Sequence, residues 1–183
     1  ALRESERRLS DIIDFLPDAT FAIDLSGKVI AWNHAMEEMS GVKAEDMLGK
    51  GNYEYTIQFY GMRRPAMIDL ALKFTDEDRK RYSLIKQEGD VIFTETNVVL
   101  GNSPRVLLGK ARPLYDSNGN IAGAIESIRD ITEFRQAQKA LQQANEELEI
   151  RVAERTTELV QANKALQKEI LERQRTEAVL EES

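Results

Sequence analysis

Apolar residues in the last third of the chain fall at Phe134, Ala137, Leu141, Ala144 and Leu148, alternating three and four apart, and neither Gly nor Pro occurs from Ala124 to Ser183. This spacing lines one face of an α-helix and predicts a single long helix over residues 132–183, built to pair with another helix. At 1.5 Å per residue, such a helix reaches about 75 Å. Its pattern is phase-shifted. Leu148 to Val152 is a second consecutive step of four, Arg155, Leu159, Ala162 and Leu166 resume the heptad, and another extra step of four leads to Ile170. Insertions of four are stutters, which locally unwind a left-handed supercoil. With alanines in the seam and Arg173 and Glu177 further along it, the expected coiled coil is thin. The alternative is a solvated single helix supported by i,i+4 charge pairs.

Ahead of the long helix the periods are shorter. Leu9, Ile12, Ile13 and Leu16 sit among charges at helical spacing, predicting an amphipathic helix over residues 1–16 that Pro17 stops. Phe21-Ala22-Ile23 and Val29-Ile30-Ala31-Trp32 read as strands of a hairpin turning at Leu25-Ser26-Gly27-Lys28. Asn33 is placed to cap a helix over residues 34–40, closed by Gly41, and a second short helix follows at 44–48. Residues 51–61 are aromatic-rich without a clear period. Pro65 suits the first turn of a helix through Leu72, and Thr75 with Asp78 suggests a capped helix running to Gly89. Three β-type runs complete this region at residues 91–99, 106–115 and 121–129, the last two joined by a turn containing Asn118-Gly119. The resulting β-β-α-α-α-β-β-β order predicts an α+β domain over residues 17–131, with a five-stranded antiparallel sheet and helices on one face.

In that order, Leu16-Pro17-Asp18-Ala19, the turn from Asp24 to Gly27, Trp32-Asn33, Ser40-Gly41, Pro113-Leu114-Tyr115-Asp116 and Asp130-Ile131-Thr132-Glu133 resemble the PAS sensor domain family. The tail, with Arg151-Val152-Ala153-Glu154-Arg155-Thr156 and Ile170-Leu171-Glu172-Arg173-Gln174-Arg175, looks like the inter-domain linkers of multi-PAS sensor histidine kinases. The resemblance implies a cleft between sheet and helices for a small molecule. It also implies a signal junction at Asp130 and Thr132, where the last strand meets the output helix. An Asp and a Thr at this point also suit simple helix capping. The stretch from Gly49 to Pro65 is longer than the shortest PAS pattern and leaves the pocket's shape open. The chain's first and last five residues, ALRES and VLEES, are similar, which suggests a unit of a tandem array.

Alternation along residues 106–113 points Lys110 and Arg112 to water and Leu107, Gly109 and Ala111 inward. The small residues leave room opposite the helices, where Phe21, Ile23, Met36, Met39, Met47, Tyr55, Ile68 and Phe93 are the expected walls. Met and aromatic side chains also fill irregular gaps well, so a packed core without a ligand is the competing reading. Arg63 and Arg64 precede a helix N-terminus and suit either an anionic ligand or solvent.

Composition narrows the chemistry. The net charge of −7 disfavours nucleic acid as a partner, and zero cysteines exclude disulfides, thiolate metal sites and a covalent flavin adduct. His34, the only histidine, follows a capping Asn and reads as a surface residue. No haem or metal is expected, because the haem-binding relatives place their histidine on a later helix. Asp76, Glu77 and Asp78 read as complements to a helix dipole, and Gly49-Lys50-Gly51 is too short for a phosphate loop. No apolar run approaches the length of a membrane span, in keeping with a cytoplasmic location, although a parent protein could be anchored. The expected function is a sensory and dimerisation module of a signalling protein, a histidine kinase by the resemblance, with no catalysis of its own. It is expected to form a homodimer through the first helix and the coiled coil, next to further PAS or kinase domains. The alternative is a structural spacer with a filled core.

Overall fold

The structure, a computed structural model, describes residues 2–73 and 85–181. Its framework is an antiparallel sheet of strands β1 (Ala19–Asp24), β2 (Val29–Trp32), β3 (Lys86–Glu88), β4 (Val91–Leu100), β5 (Ser103–Tyr115) and β6 (Ile121–Asp130). They lie in the order β2-β1-β6-β5-β4-β3, so the N-terminal hairpin docks beside the last strand. The expected α+β architecture is therefore present, with six strands among the described residues instead of five.

The extra strand replaces the end of an expected helix. Lys86, Gln87 and Glu88 pair with Phe93, Ile92 and Val91, across a turn in which Gly89 adopts a φ of +63°. A glycine in the left-handed region closes a tight hairpin at little steric cost, and the hairpin takes residues 86–88 into the sheet. The rest of that expected helix, with the Asp76 to Asp78 carboxylates, falls at residues 74–84, outside the described residues.

Short helices follow the first hairpin. The amphipathic N-terminal stretch forms α1 (Leu2–Phe15), then come α2 (His34–Ser40) and α3 (Ala44–Met47). Asn33 joins three of these elements. Its Oδ1 accepts from the Met36 N–H at 2.9 Å as the α2 cap and from the Thr20 N–H in β1 at 2.8 Å, while its Nδ2 donates to the carbonyls of Ile13, Leu16 and Asp18. A buried amide with every polar atom in use fixes how the chain passes from α1 into the sheet. Asp14 adds an Oδ1 acceptor for the His34 N–H, and the His34 ring is exposed beside Glu37 and Glu38.

The aromatic-rich stretch is structured, with a 3₁₀ turn at Glu54–Thr56 leading into α4 (Ile57–Tyr60), and α5 (Met67–Leu72) follows Pro65 as expected. Asn52 and Tyr53 enter the 3₁₀ turn in the left-handed region, which non-glycine residues rarely adopt. Ile23, Met36, Met47, Tyr55, Ile68 and Ile92 are the largest apolar side chains fully enclosed in the core. The long helix, here α6 (Thr132–Glu181), is unbroken. By internal contacts the chain forms two compact units, Ala1–Glu133 and Phe134–Ser183.

Candidate functional site

A cavity of about 610 Å³ opens between α4, α5 and the inner face of β4, β5 and β6. Aromatic rings dominate one side. Phe21 and Tyr55 pack with ring centroids 5.3 Å apart, Phe59 and Tyr60 come from α4, and the Arg64 guanidinium lies 4.6 Å from the Tyr60 centroid at the rim. The sheet side is small and aliphatic at Leu107, Gly109 and Ile128. A Cβ added at Gly109 would come within 2.7 Å of the Met67 methyl and 3.1 Å of Glu126 Oε1, so this glycine leaves the space that both side chains use.

Glu126 is the most unusual group in the cavity. It extends inward from β6, is only 6% exposed, and among the described residues accepts one hydrogen bond, from the Ile68 N–H to Oε2 at 3.0 Å. Burial pushes its carboxyl up to about 8, against the Ile68 hydrogen bond that lowers it, and nearby Asp69 pushes it further up. Asp69 is raised as well, by burial first, although its Oδ1 accepts from the Tyr55 hydroxyl at 2.6 Å and its Oδ2 from the Ala66 N–H at 2.8 Å. The Tyr55 hydroxyl is raised by burial and by its bond to Asp69, and Tyr60 by burial and Glu126. The wall therefore carries one buried carboxyl, Glu126, that favours its neutral form, among four aromatic rings, with Asp69 held behind it by the Tyr55 hydroxyl.

Of the walls expected from sequence, Phe21, Tyr55, Arg64, Leu107 and Gly109 line this cavity. Ile23, Met36, Met47 and Ile68 instead fill the core, and Met39 packs at its edge. Phe93 is a correction. It pairs with Lys110, and strict alternation puts both on the outer face of the sheet. Ala111 borders a separate hollow of about 300 Å³ with Val91, Lys110 and Ile125. Arg63 pairs with Glu54 at the surface. Thr56, Phe59, Tyr60, Met67 and Glu126 went unread in the sequence. No group of three or more His, Cys, Asp or Glu among the described residues is placed to hold a metal.

Asp130 and Thr132 come together at the start of α6. Asp130 Oδ1 accepts from the Thr132 N–H at 2.9 Å and from its hydroxyl, and Thr132 Oγ1 accepts from the Val106 N–H of β5 at 2.9 Å. The Ile131 N–H in turn donates to the Val106 carbonyl at 2.9 Å. The β5–β6 ladder ends at the Leu107–Asp130 pair, so Ile131 and Thr132 extend its hydrogen bonding by one more residue. Burial raises the Asp130 carboxyl, but the Thr132 bonds and Arg105, 3.3 Å away, outweigh it and leave the group below its ordinary value.

The PAS domain of BvgS from Bordetella pertussis is 22% identical over 78% of this chain and 98% of its own length, with a TM-score of 0.48. A PAS domain from Colwellia psychrerythraea is 19% identical over 70% of this chain and 98% of its own, with a TM-score of 0.46. An RNA-binding light-oxygen-voltage receptor superposes with a TM-score of 0.51 at 16% identity, over 80% of this chain and 38% of its own. No curated protein matches. The profile of the PAS fold matches residues 13–136, from the end of α1 through the whole sheet to the first turn of α6. The chain therefore belongs to the PAS fold family.

Proposed function

We propose that this chain is the sensory and dimerisation module of a signal-transduction protein, a sensor histidine kinase on the character of its tail. In this reading the cavity takes a small molecule and α6 carries the result to an output domain. The observation that carries it is the double use of β5. Leu107 and Gly109 line the cavity, and Val106, in the same strand, holds the first residue of α6 through Thr132. A ligand that shifts β5 relative to β6 acts directly on those bonds. PAS domains serve as sensory and regulatory modules, and this chain shares their fold. Exposed apolar positions support the dimer: Leu9, Ile12 and Phe15 on α1, and Leu141, Leu148, Leu159 and Leu166 on α6. The net charge of −7 supports a partner other than nucleic acid. No helix among the described residues is long and apolar enough to cross a membrane, which suits a module on the cytoplasmic side. The reading assigns the chain no catalysis of its own, nor a haem, a metal or a covalent flavin.

Native mass spectrometry of gently purified protein, before and after unfolding and refolding in clean buffer, tests this. The expected result is a retained small molecule, lost on refolding together with several degrees of melting temperature. Identical masses and melting curves would overturn it in favour of a structural spacer.

A further inference from the structure

The two oxygens of Glu126 stand in different surroundings. Oε2 accepts from the Ile68 N–H at 3.0 Å, whereas Oε1 has no hydrogen-bond partner among the described residues and faces the room left by Gly109, where a Cβ would lie 3.1 Å from it. The side chain is 6% exposed and borders the cavity. The titratable and charged groups nearest to it are Asp69 of α5, which the Tyr55 hydroxyl holds behind the wall, the hydroxyls of Tyr55 and Tyr60, and Arg64 at the rim over the Tyr60 ring. Glu95 of β4 also borders the cavity and has a partner of its own.

Burial favours the neutral form of Glu126. A neutral carboxyl carries one O–H donor and one carbonyl-like oxygen. The Ile68 N–H needs an acceptor and so selects Oε2 as the carbonyl oxygen, which leaves the proton on Oε1 at the cavity wall. A buried O–H without an acceptor forfeits the hydrogen bond it makes in water, so a ligand that brings an acceptor stabilises this wall. A cation would first have to strip that proton, and an anion would lose its hydration among the rings of Phe21, Phe59 and Tyr60.

We propose that the cavity selects an uncharged, flat molecule with a carbonyl or ring-nitrogen acceptor, which takes a hydrogen bond from the Glu126 carboxylic acid at Oε1 while its body lies among the rings of Phe59 and Tyr60. This inference rests on the sensing role proposed above and names the ligand's chemical class. The proton stays on Glu126 throughout. Because only the protonated carboxyl donates, the preference for an acceptor holds below the carboxyl's value of about 8 and declines about tenfold per pH unit above it.

Isothermal titration of the full chain with acetophenone, its hydrocarbon isostere α-methylstyrene, benzylammonium and benzoate tests the proposal. The expected result is acetophenone binding about tenfold tighter than the isostere and tighter than either ion, with the preference over the isostere fading above pH 8. Glu126→Gln offers its oxygen to the Ile68 N–H and an amide N–H in place of the acid proton, so it should keep the preference and lose the pH dependence. Glu126→Leu should abolish the preference; the Gln variant and the pH series give readings that do not depend on its folding. Equal binding of acetophenone and α-methylstyrene, tighter binding of either ion, or a preference that is flat through pH 8 in the unaltered chain overturns the ligand class and leaves the sensing role standing. Failure of all four probes to bind also overturns the ligand class, and together with no molecule retained in native mass spectrometry it overturns the sensing role as well.

Discussion

At the scale of single residues, Glu126 sets the clearest expectation. Its ordinary value of 4.5 rises to about 8 in the folded chain, so between those values the folded state holds a proton that the unfolded chain has released. Stability from this group is complete below about pH 4.5 and is lost as pH climbs towards 8; at 1.36 kcal/mol per unit the loss is at most about 5 kcal/mol. Asp69, raised in the same direction, adds to the decline, whereas Asp24, Glu37, Asp116 and Asp130 are lowered and give up stability only on acidification. Urea midpoints measured from pH 5 to 8.5 should therefore fall for the unaltered chain and be much flatter for Glu126→Gln. Parallel curves would mean that Glu126 is ionised in the native state. Glu126 was not legible in the sequence for a specific reason. Counting back from the Tyr115–Ile121 pair without interruption sets Ile125 opposite the inward Ala111, and leaves Glu126 facing water. A bulge between Leu114 and Tyr115 shifts the register by one, so that Ala111 meets Glu126 instead. The bulge also brings Gly123 so close to the Ile23 carbonyl that a Cβ there would clash with backbone. A glycine in a strand hints at such a close approach, but its effect on parity is not written in composition.

Among elements, the five expected strands, the capped helix α2 and the long helix were readable because each has a local cause: alternation, an Asn cap followed by a Gly stop, and a heptad free of Gly and Pro; β3 was not, because residues 86–88 carry no alternation and join the sheet only through the Gly89 turn. The stretch from Gly51 to Gly61 was not, because its course depends on two non-glycine residues, Asn52 and Tyr53, in the left-handed region, held by packing such as the edge contact of Tyr53 with Tyr55. The same limit applied to the walls of the cavity. Period-2 reasoning chose the right face of β5, but nothing in the sequence told which apolar residues of the helices fill the core and which border a space. At Asp130 and Thr132 the motif coincides with a set of hydrogen bonds between β5, β6 and the start of α6, and that gives a prediction for β5. Thr132→Ala removes the acceptor for the Val106 N–H and leaves that half-buried donor unpaired, at about 1–3 kcal/mol of local stability. The Val106 amide should then exchange with solvent at least tenfold faster, with smaller changes at Ile23 and Ala124 in the β1–β6 ladder, and Thr132→Ser should restore protection. Uniform acceleration across the sheet would mean that the hydroxyl only supports global stability and that β5 has no privileged link to α6.

For the whole molecule, the unmatched quantity is apolar surface. Leu141, Leu148, Leu159 and Leu166 are 56–70% exposed in the single chain, and they recur along one side of a 50-residue helix. Burying a leucine contributes about 1.5–3 kcal/mol, so a partner that covers the seam gains substantially even after the cost of association. A second copy of the same helix, in parallel register, presents the same stutters at the same heights, and an antiparallel partner would set each phase shift against unshifted heptads. Leu148 and Leu159 flank the first stutter, where two helical registers compete most closely. Replacing both with Asn should move the chain towards monomer in sedimentation velocity at micromolar concentration, while the circular dichroism and melting of the β-rich unit stay unchanged. Cysteines placed at Ala144 should cross-link in the unaltered background if the pairing is parallel. A dimer that survives the double Asn change would put the main interface on α1, where Phe15 is 90% exposed beside Leu9 and Ile12. In that case the long helix would follow a dimer formed upstream of it, and its stutters would set the phase of the output without holding the two copies together.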